Sequence, residues 1–140
     1  LASALAMKPW NGNLKTLCWK IGESFIKVKN NKDDVYGKMY DQRKELEVQR
    51  NDAGQFADQA ANKLATTNIG KTTDAYKWYS AGMLPPAQIH QRSARYATKI
   101  FLAHYHHVAY ELEYGQAPPK PYVIEHLGHA HYLAPPNWPM

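Results

Sequence analysis

The stretch "LPPAQIHQRSARYATKIFLAHYHHVAYELEYG", residues 84–115, decides the fold class of this chain. Small and apolar residues recur along it at intervals of three and four, which is the spacing of one face of an α-helix. Proline is tolerated in the first turn of a helix, and glycine commonly follows the last turn. The pattern therefore predicts one long helix from about Ala87 to Tyr114 that stops at Gly115. The residues of its apolar face are Ile89, Ser93, Ala97, Ile100, Phe101, His104 and Val108.

A first helix is predicted near the N-terminus. Asn11 or Asn13 can act as the N-cap of a segment that reaches about Val28. Apolar residues in this segment again recur at intervals of three and four, which defines one apolar stripe. The stripe comprises Leu14, Leu17, Cys18, Ile21, Phe25 and Val28.

Two further helices are predicted between the first helix and the long one. The second helix should run from Val35 to about Leu64, with Asp33 or Asp34 as its N-cap. Gly54 lies inside this helix and can weaken or bend it. A short third helix fits the segment "DAYKWYSAG", which starts at Asp74 and ends in a glycine.

The last stretch, residues 116–140, carries six prolines, so it cannot continue as a long helix. It is also too apolar for a free tail, since aromatic and aliphatic side chains recur from Tyr122 to Trp138. We expect it to wrap the helices in an extended path. The predicted fold is therefore all-α, with a helical domain of about four helices at 1–115 and a Pro-rich C-terminal segment at 116–140 packed on it.

The composition is typical of a folded protein without a membrane span. The 140 residues are 44% hydrophobic and 21% charged, which is close to ordinary globular values. No apolar run is long enough to cross a bilayer. The opening "LASALAM" has no basic region before it, so it is not interpreted as a signal peptide. The single Cys18 cannot form an internal disulfide, and this favours the reducing cytoplasm.

The formal net charge of +5 favours an acidic partner, most often nucleic acid. Basic and amide side chains line one side of the long helix, and we predict nucleic-acid contacts for Gln88, Arg92, Arg95 and Lys99, with His106 on the same side. The first helix adds Lys15, Lys20 and Lys27 to this set. Such residues can follow phosphates, while Gln and Arg can also reach base edges. The alternative is a solvated basic face.

Three of the seven histidines lie close together on the long helix. His104 falls in the middle of the apolar stripe, His107 lies near its edge, and His106 points away. Zinc needs three or four protein ligands. His104 and His107 could supply two of them at a spacing of three residues, with a third from the segment "EHLGHAHY", residues 125–132. No recognised metal motif has this spacing. The favoured interpretation is a buried His104 satisfied by one hydrogen bond, for example to the tail, so neither a metal nor a cofactor is predicted.

Other residues offer little catalytic chemistry. Cys18 lies in the apolar stripe of its helix, which favours a core thiol over a nucleophile. The sequence contains no G-x-S-x-G, phosphate loop or H-E-x-x-H motif, so no catalytic residue is predicted. Arg43, Glu47 and Arg50 share a face of the second helix. They form either a charged network against the long helix or a partly solvated ladder, and the ladder is favoured.

Three segments of this chain, in this order, resemble a known family. They are "NGNLKTLCWKIGESFIK" (11–27), "YGKMYDQRKELE" (36–47) and "RYATKIFLAHYHHVAYELEYGQAPPKPY" (95–122). Together they are similar to the C-terminal transposase domain of an RNA-guided insertion-sequence family, or to phage and metagenomic relatives of that domain. Full members of the family carry an N-terminal RuvC-like nuclease domain with four acidic residues, followed by this domain with a catalytic serine.

The chain also departs from the family. It shows no RuvC-like acidic domain, residues 55–86 have no counterpart, and Ser3 lacks the flanking glycines of the family's serine, so catalysis is not assigned to it. The resemblance implies a helical domain that engages DNA and a guide RNA, within a homo-oligomer or a larger parent protein. As part of an enzyme it would belong to a DNA transposase or recombinase. The alternative is a structural or interaction protein of a phage or mobile element, whose C-terminal segment clasps a partner.

Overall fold

The computed structural model of the chain describes residues 8–120 and 133–139. These residues form five α-helices and no strand, which confirms the all-α class. No helix within them combines the length and hydropathy that a membrane span requires. In chain order the helices are α1 (Gly12–Lys27), α2 (Tyr36–Asp52), α3 (Ala57–Thr66), α4 (Asp74–Ser80) and α5 (Pro86–Tyr114).

The helix ends follow local capping chemistry. The Asn11 side chain caps α1 by accepting a hydrogen bond from the Leu14 amide at 3.1 Å, as Asn commonly does at this position. Val35 is the N-cap residue of α2, and the carboxylate of the preceding Asp34 accepts from the first-turn amides of Gly37 and Lys38 at 3.0 and 2.8 Å. At the other end of the chain, α5 stops before Gly115, whose φ of 70° suits glycine.

The expectation of one helix from Val35 to Leu64 was wrong. The chain leaves the helical path after Asp52 and re-enters it at Ala57. Gly54 has a φ of 76°, a left-handed conformation that side chains disfavour and that an α-helix cannot contain. The break turns Phe56 into the core, where its side chain is only 4% exposed. Burial of this ring offsets the helical hydrogen bonds lost at the break.

The contacts divide the chain into two compact units, Leu1–Ala97 and Thr98–Met140. The predicted division after Gly115 stays a prediction. The first unit has a large core cluster to which α3, α4 and the start of α5 contribute: Phe56, Ala60, Tyr79, Leu84 and Ile89. A second cluster joins α1, α2 and the next turns of α5: Tyr40, Ala94 and Ala97, with Ile26 packed against them. The first part of α5 therefore contributes residues to both clusters.

A buried side-chain amide fixes the chain that leads into α5. Asn51, at the end of α2, accepts a hydrogen bond from the Leu84 amide at 2.8 Å and donates one to the Leu84 carbonyl at 2.9 Å. Asn51 is 5% exposed and Leu84 is 2% exposed. Buried backbone groups outside helices need such partners. The side-chain amide of Asn51 thus satisfies both backbone polar groups of Leu84.

In the second unit, the end of the chain contacts the last turns of α5. The Leu133 carbonyl accepts a hydrogen bond from Nε2 of His104 at 2.8 Å. The indole nitrogen of Trp138 donates to the Glu111 carboxylate at 2.9 Å. Residues 121–132 lie outside the described residues, so the wrap expected for 116–140 stays a prediction.

Candidate nucleic-acid interface

The three lysines predicted on the first helix are all exposed on α1. None of Lys15, Lys20 and Lys27 forms an ion pair with a carboxylate in the described part of the chain. The ammonium group of Lys15 lies 5.2 Å from the centre of the Trp10 ring, a distance at which a cation and an aromatic face attract each other. The apolar stripe of this helix is less buried than expected, since Leu14 and Leu17 are 55% and 53% exposed.

Two of the four residues predicted on the long helix are also exposed cations without an ion-pair partner among the described residues. Arg95 in the first unit and Lys99 in the second are exposed. Neither forms an ion pair within residues 8–120 and 133–139. An exposed cation without a protein counter-charge keeps its attraction for an external anion. These two residues therefore keep the properties required for phosphate contact.

Gln88 is half-buried at the edge of a surface pocket of about 250 Å³. The other polar residues of this pocket are Gln59, Asn62, Lys63, Thr66 and Thr67. Amide side chains offer both donors and acceptors, which is the chemistry that reads base edges. Gln88 therefore belongs to a polar pocket, whereas the sequence had placed it in a continuous stripe.

Arg92 is not the exposed cation that the sequence predicted. Its Nε atom donates to Oε2 of Glu47 at 2.7 Å, and its side chain is only 24% exposed. Its guanidinium also lies 4.6 Å from the centre of the Phe56 ring. Helical periodicity places Arg92 on the same side as Arg95, but α2 lies close enough for Glu47 to form an ion pair with Arg92. Replacement of Arg92 should consequently disturb folding.

Glu47 is the centre of a cluster of three arginines, and its side chain is fully buried. Arg43 donates from Nε to Oε1 at 2.7 Å, and the second nitrogen of its guanidinium lies 2.5 Å from the same oxygen. Arg50 approaches Oε1 at 3.4 Å, while Arg92 holds the other oxygen. The charged network is therefore confirmed, and the favoured solvated ladder was wrong.

The environment of Glu47 keeps its carboxylate ionised. Burial by itself raises the pKa of a carboxyl group, because the charged form loses its hydration. Hydrogen bonds from Arg92 and Arg43, together with the charges of both guanidinium groups, act against burial and lower the pKa of Glu47 below its ordinary value. The buried charge is thus compensated by its partners.

A second polar link between helices was not foreseen from the sequence. The Tyr40 hydroxyl lies 2.7 Å from Nδ1 of His90, and Nε2 of His90 lies 3.2 Å from the Glu23 carboxylate. A neutral His90 satisfies both contacts when Nε2 donates to the carboxylate and Nδ1 accepts from the hydroxyl. These residues come from α2, α5 and α1. No sequence motif joins positions so far apart, so only the tertiary structure reveals the link.

The histidines of α5 behave as structural side chains. His104 is 4% exposed and donates a hydrogen bond to the Leu133 carbonyl, which confirms the interpretation of a buried histidine that is hydrogen-bonded to the tail. His107 is buried with Nε2 3.3 Å from Glu111, and His106 is exposed as expected. Among the described residues, no three potential ligands meet in a way that could hold a metal ion. The histidines at 126, 129 and 131 lie outside those residues.

The stability of the protein should fall as the pH decreases below about 6.5, the ordinary pKa of histidine. Burial lowers the pKa of His104, the hydrogen bond to Leu133 opposes that effect, and the charge of His107 adds to it. The unfolded chain therefore binds a proton at a higher pH than the folded chain. The contribution is fully present above the unfolded pKa and is lost as the pH falls through the lowered folded pKa.

Urea unfolding across this pH range measures the effect, and His104→Gln isolates it. Glutamine can still donate to the Leu133 carbonyl but does not titrate, so this variant should show a flatter dependence on pH. His106→Gln, at an exposed position of the same helix, is the matched control and should titrate like the wild-type protein. Identical pH curves for His104→Gln and the wild-type protein would contradict this assignment.

In comparisons with known proteins, no family model, no curated protein and no solved structure matches the chain. The function must therefore follow from the side chains themselves. The first unit offers exposed lysines on α1, an exposed Arg95, a polar pocket at Gln88 and the arginine cluster around Glu47. All of these features carry positive charge or amide groups, which is the chemistry of anion recognition.

Proposed function

We propose that this chain is a nucleic-acid-binding domain of transposase or recombinase descent, without catalytic activity as an isolated chain. The observation that carries the proposal is that five of the seven predicted contact residues are exposed cations without a carboxylate partner in residues 8–120 and 133–139. They are Lys15, Lys20, Lys27, Arg95 and Lys99. Cations of this kind release counterions from a polynucleotide when they bind its phosphates, and this release drives association.

Three further features support the proposal. The net charge of +5 favours polyanionic partners. The segments at 11–27, 36–47 and 95–122 resemble a transposase domain that works on DNA with a guide RNA. The single Cys18 is a free thiol, which is typical of proteins of the reducing cytoplasm, where bacterial and phage DNA is also found. As part of an enzyme, the domain would serve a DNA transposase or recombinase.

The double variant Arg95→Ala/Lys99→Ala should bind DNA more weakly and with a smaller dependence on salt. Each lost phosphate contact removes about one counterion from the slope of log affinity against log salt. Folding should be almost unchanged, because exposed charges contribute little to stability. Electrophoretic mobility shift of a short duplex at several salt concentrations measures both affinity and slope, and thermal unfolding checks the fold.

The matched control is Lys71→Ala/Lys77→Ala, which removes the same charge from exposed positions in the α3–α4 loop and α4. This control should retain most of the affinity. Equal losses in both double variants would show that only net charge matters, and the interface on α5 would then be rejected. A wild-type protein that fails to bind DNA or RNA even at low salt would refute the proposed function itself.

A second candidate function is a structural or interaction protein that clasps a partner or a second copy. It is favoured by large apolar side chains exposed near the end of α5, since Leu112 and Tyr114 are 71% and 64% exposed. Such exposure marks interaction surfaces when the residues are grouped. Sedimentation of the purified chain separates the two functions: salt-independent self-association without affinity for nucleic acid would favour this second candidate.

A further inference from the structure

The arginine cluster around Glu47 has more positive charge than its own carboxylate can balance. Three guanidinium groups, those of Arg43, Arg50 and Arg92, face one buried carboxylate. No other carboxylate of the described ranges forms an ion pair with them. Two positive charges of the cluster consequently lack a counter-charge.

Each of these arginines also has donors to spare. A guanidinium group carries five N–H donors. In the described residues, Arg92 uses Nε alone, Arg43 uses Nε and one terminal nitrogen, and Arg50 uses Nε for Gln55 and one terminal nitrogen for Glu47. The three side chains are 24–34% exposed. Their remaining terminal nitrogens are therefore available to a group that approaches from solvent.

Aromatic rings hold the guanidinium groups in place. Arg43 lies 4.7 Å from the centre of the Tyr96 ring, while Arg50 and Arg92 lie 5.1 and 4.6 Å from that of Phe56. An arginine held by a ring and by a carboxylate has already lost most of its rotamer freedom. A ligand that binds here pays little additional conformational entropy.

We propose that Arg43, Arg50 and Arg92 form a phosphate-binding site, with Glu47 as the buried carboxylate that positions them. This site rests on the proposed function and deepens it: the ligand is a phosphate group of the polynucleotide backbone. Phosphate matches the cluster because its negative charge and its several oxygens accept paired hydrogen bonds from guanidinium groups. Arg95 lies three residues from Arg92 and is exposed, so the site continues toward the interface on α5.

Arg50 is the residue best suited to a test. It makes the longest of the three contacts with Glu47, 3.4 Å, so Glu47 retains two short partners when Arg50 is replaced. Arg50→Ala removes a cation and its donors, and Arg50→Lys keeps the charge but removes the fork of donors. Lys44→Ala is the matched control, since Lys44 is an exposed cation on the same helix.

The experiment measures two probes on the full chain: the affinity for a short DNA duplex, and the rise in melting temperature caused by inorganic phosphate relative to chloride at equal ionic strength. We expect Arg50→Ala to weaken DNA binding by about tenfold or more, the loss typical of a charged hydrogen bond, and to abolish the phosphate-induced rise. Arg50→Lys should recover only part of each effect. Lys44→Ala should change the affinity by less than about twofold.

The outcomes separate this site from the proposed function. DNA binding that is equal in the wild-type protein and Arg50→Ala, without a phosphate effect, overturns the site and leaves the function standing. Equal losses in Arg50→Ala and Lys44→Ala also overturn it, because the effect would then be one of net charge. An Arg50-dependent phosphate effect without any binding of nucleic acid refutes the function and upholds the site for a small phosphate compound.

Discussion

Replacement of Glu47 by alanine is expected to lower the free energy of unfolding by about 3 kcal/mol. The variant leaves Arg43 and Arg92 half-buried without the carboxylate that both bond at 2.7 Å. Removal of one partner of a buried ion pair is costly because the remaining charges stay poorly hydrated. The figure lies at the lower end of the range for such changes, since the arginine side chains retain some contact with water.

Urea unfolding at neutral pH provides the measurement, and Glu45→Ala is the control because Glu45 is an exposed carboxylate of the same helix. Glu45→Ala should change stability by less than about 0.5 kcal/mol. The Glu47 effect should also depend on pH. Its lowered pKa gives stability that is present above the ordinary carboxyl pKa of about 4.3 and is lost as the pH falls through the folded value. Stability equal to that of Glu45→Ala would show that the cluster does not hold the fold.

Replacement of Asn51 by alanine should destabilise the protein by about 2–4 kcal/mol, because two buried backbone groups lose their partner at once. The amide and the carbonyl of Leu84 are both bonded by the Asn51 side chain. An unsatisfied buried polar group bears its full desolvation penalty. Thermal and urea unfolding measure the loss, and Asn62→Ala, at an exposed position on α3, should have little effect.

Asn51→Asp tests the direction of each hydrogen bond. An ionised aspartate can still accept from the Leu84 amide, but it faces the Leu84 carbonyl without a proton to donate. This variant should be unstable at neutral pH and should recover relative to Asn51→Ala in acid, where the protonated carboxyl can donate. An Asn51→Asp protein as stable as the wild type at neutral pH would contradict the assigned hydrogen bonds.

Local signals in the sequence predicted the secondary structure well where they act within one turn of the chain. Asn11, Pro86 and Gly115 mark helix ends through capping and backbone geometry, and the helices begin and end beside them. A glycine inside a helix predicts weakening or bending at Gly54, but no local signal predicts a full break. The break depends on the burial of Phe56 among residues from other helices, and these contacts form only in the tertiary structure.

The burial of His104 could also be predicted from the sequence, since His104 lies in the middle of the apolar stripe of α5, which is the face that a helix turns to the core. The carbonyl that accepts its hydrogen bond belongs to Leu133. The sequence predicted only that this partner lies in the tail, and it did not identify the residue. The hydrogen bonds that join Tyr40, His90 and Glu23 could not be predicted from the sequence. These residues come together only when α1, α2 and α5 pack.

For the basic residues, the sequence predicted the helix face of each side chain but not its exposure to solvent. By itself the sequence determined that the chain is all-α, that its long helix carries cations on one side, and that Arg43, Glu47 and Arg50 share a face, because these properties follow from helical periodicity. Only the tertiary structure decided that Arg92 turns to the fully buried Glu47 while Arg95 stays in water. Periodicity fixes the direction in which a side chain leaves its helix, whereas its hydration depends on what packs beside it.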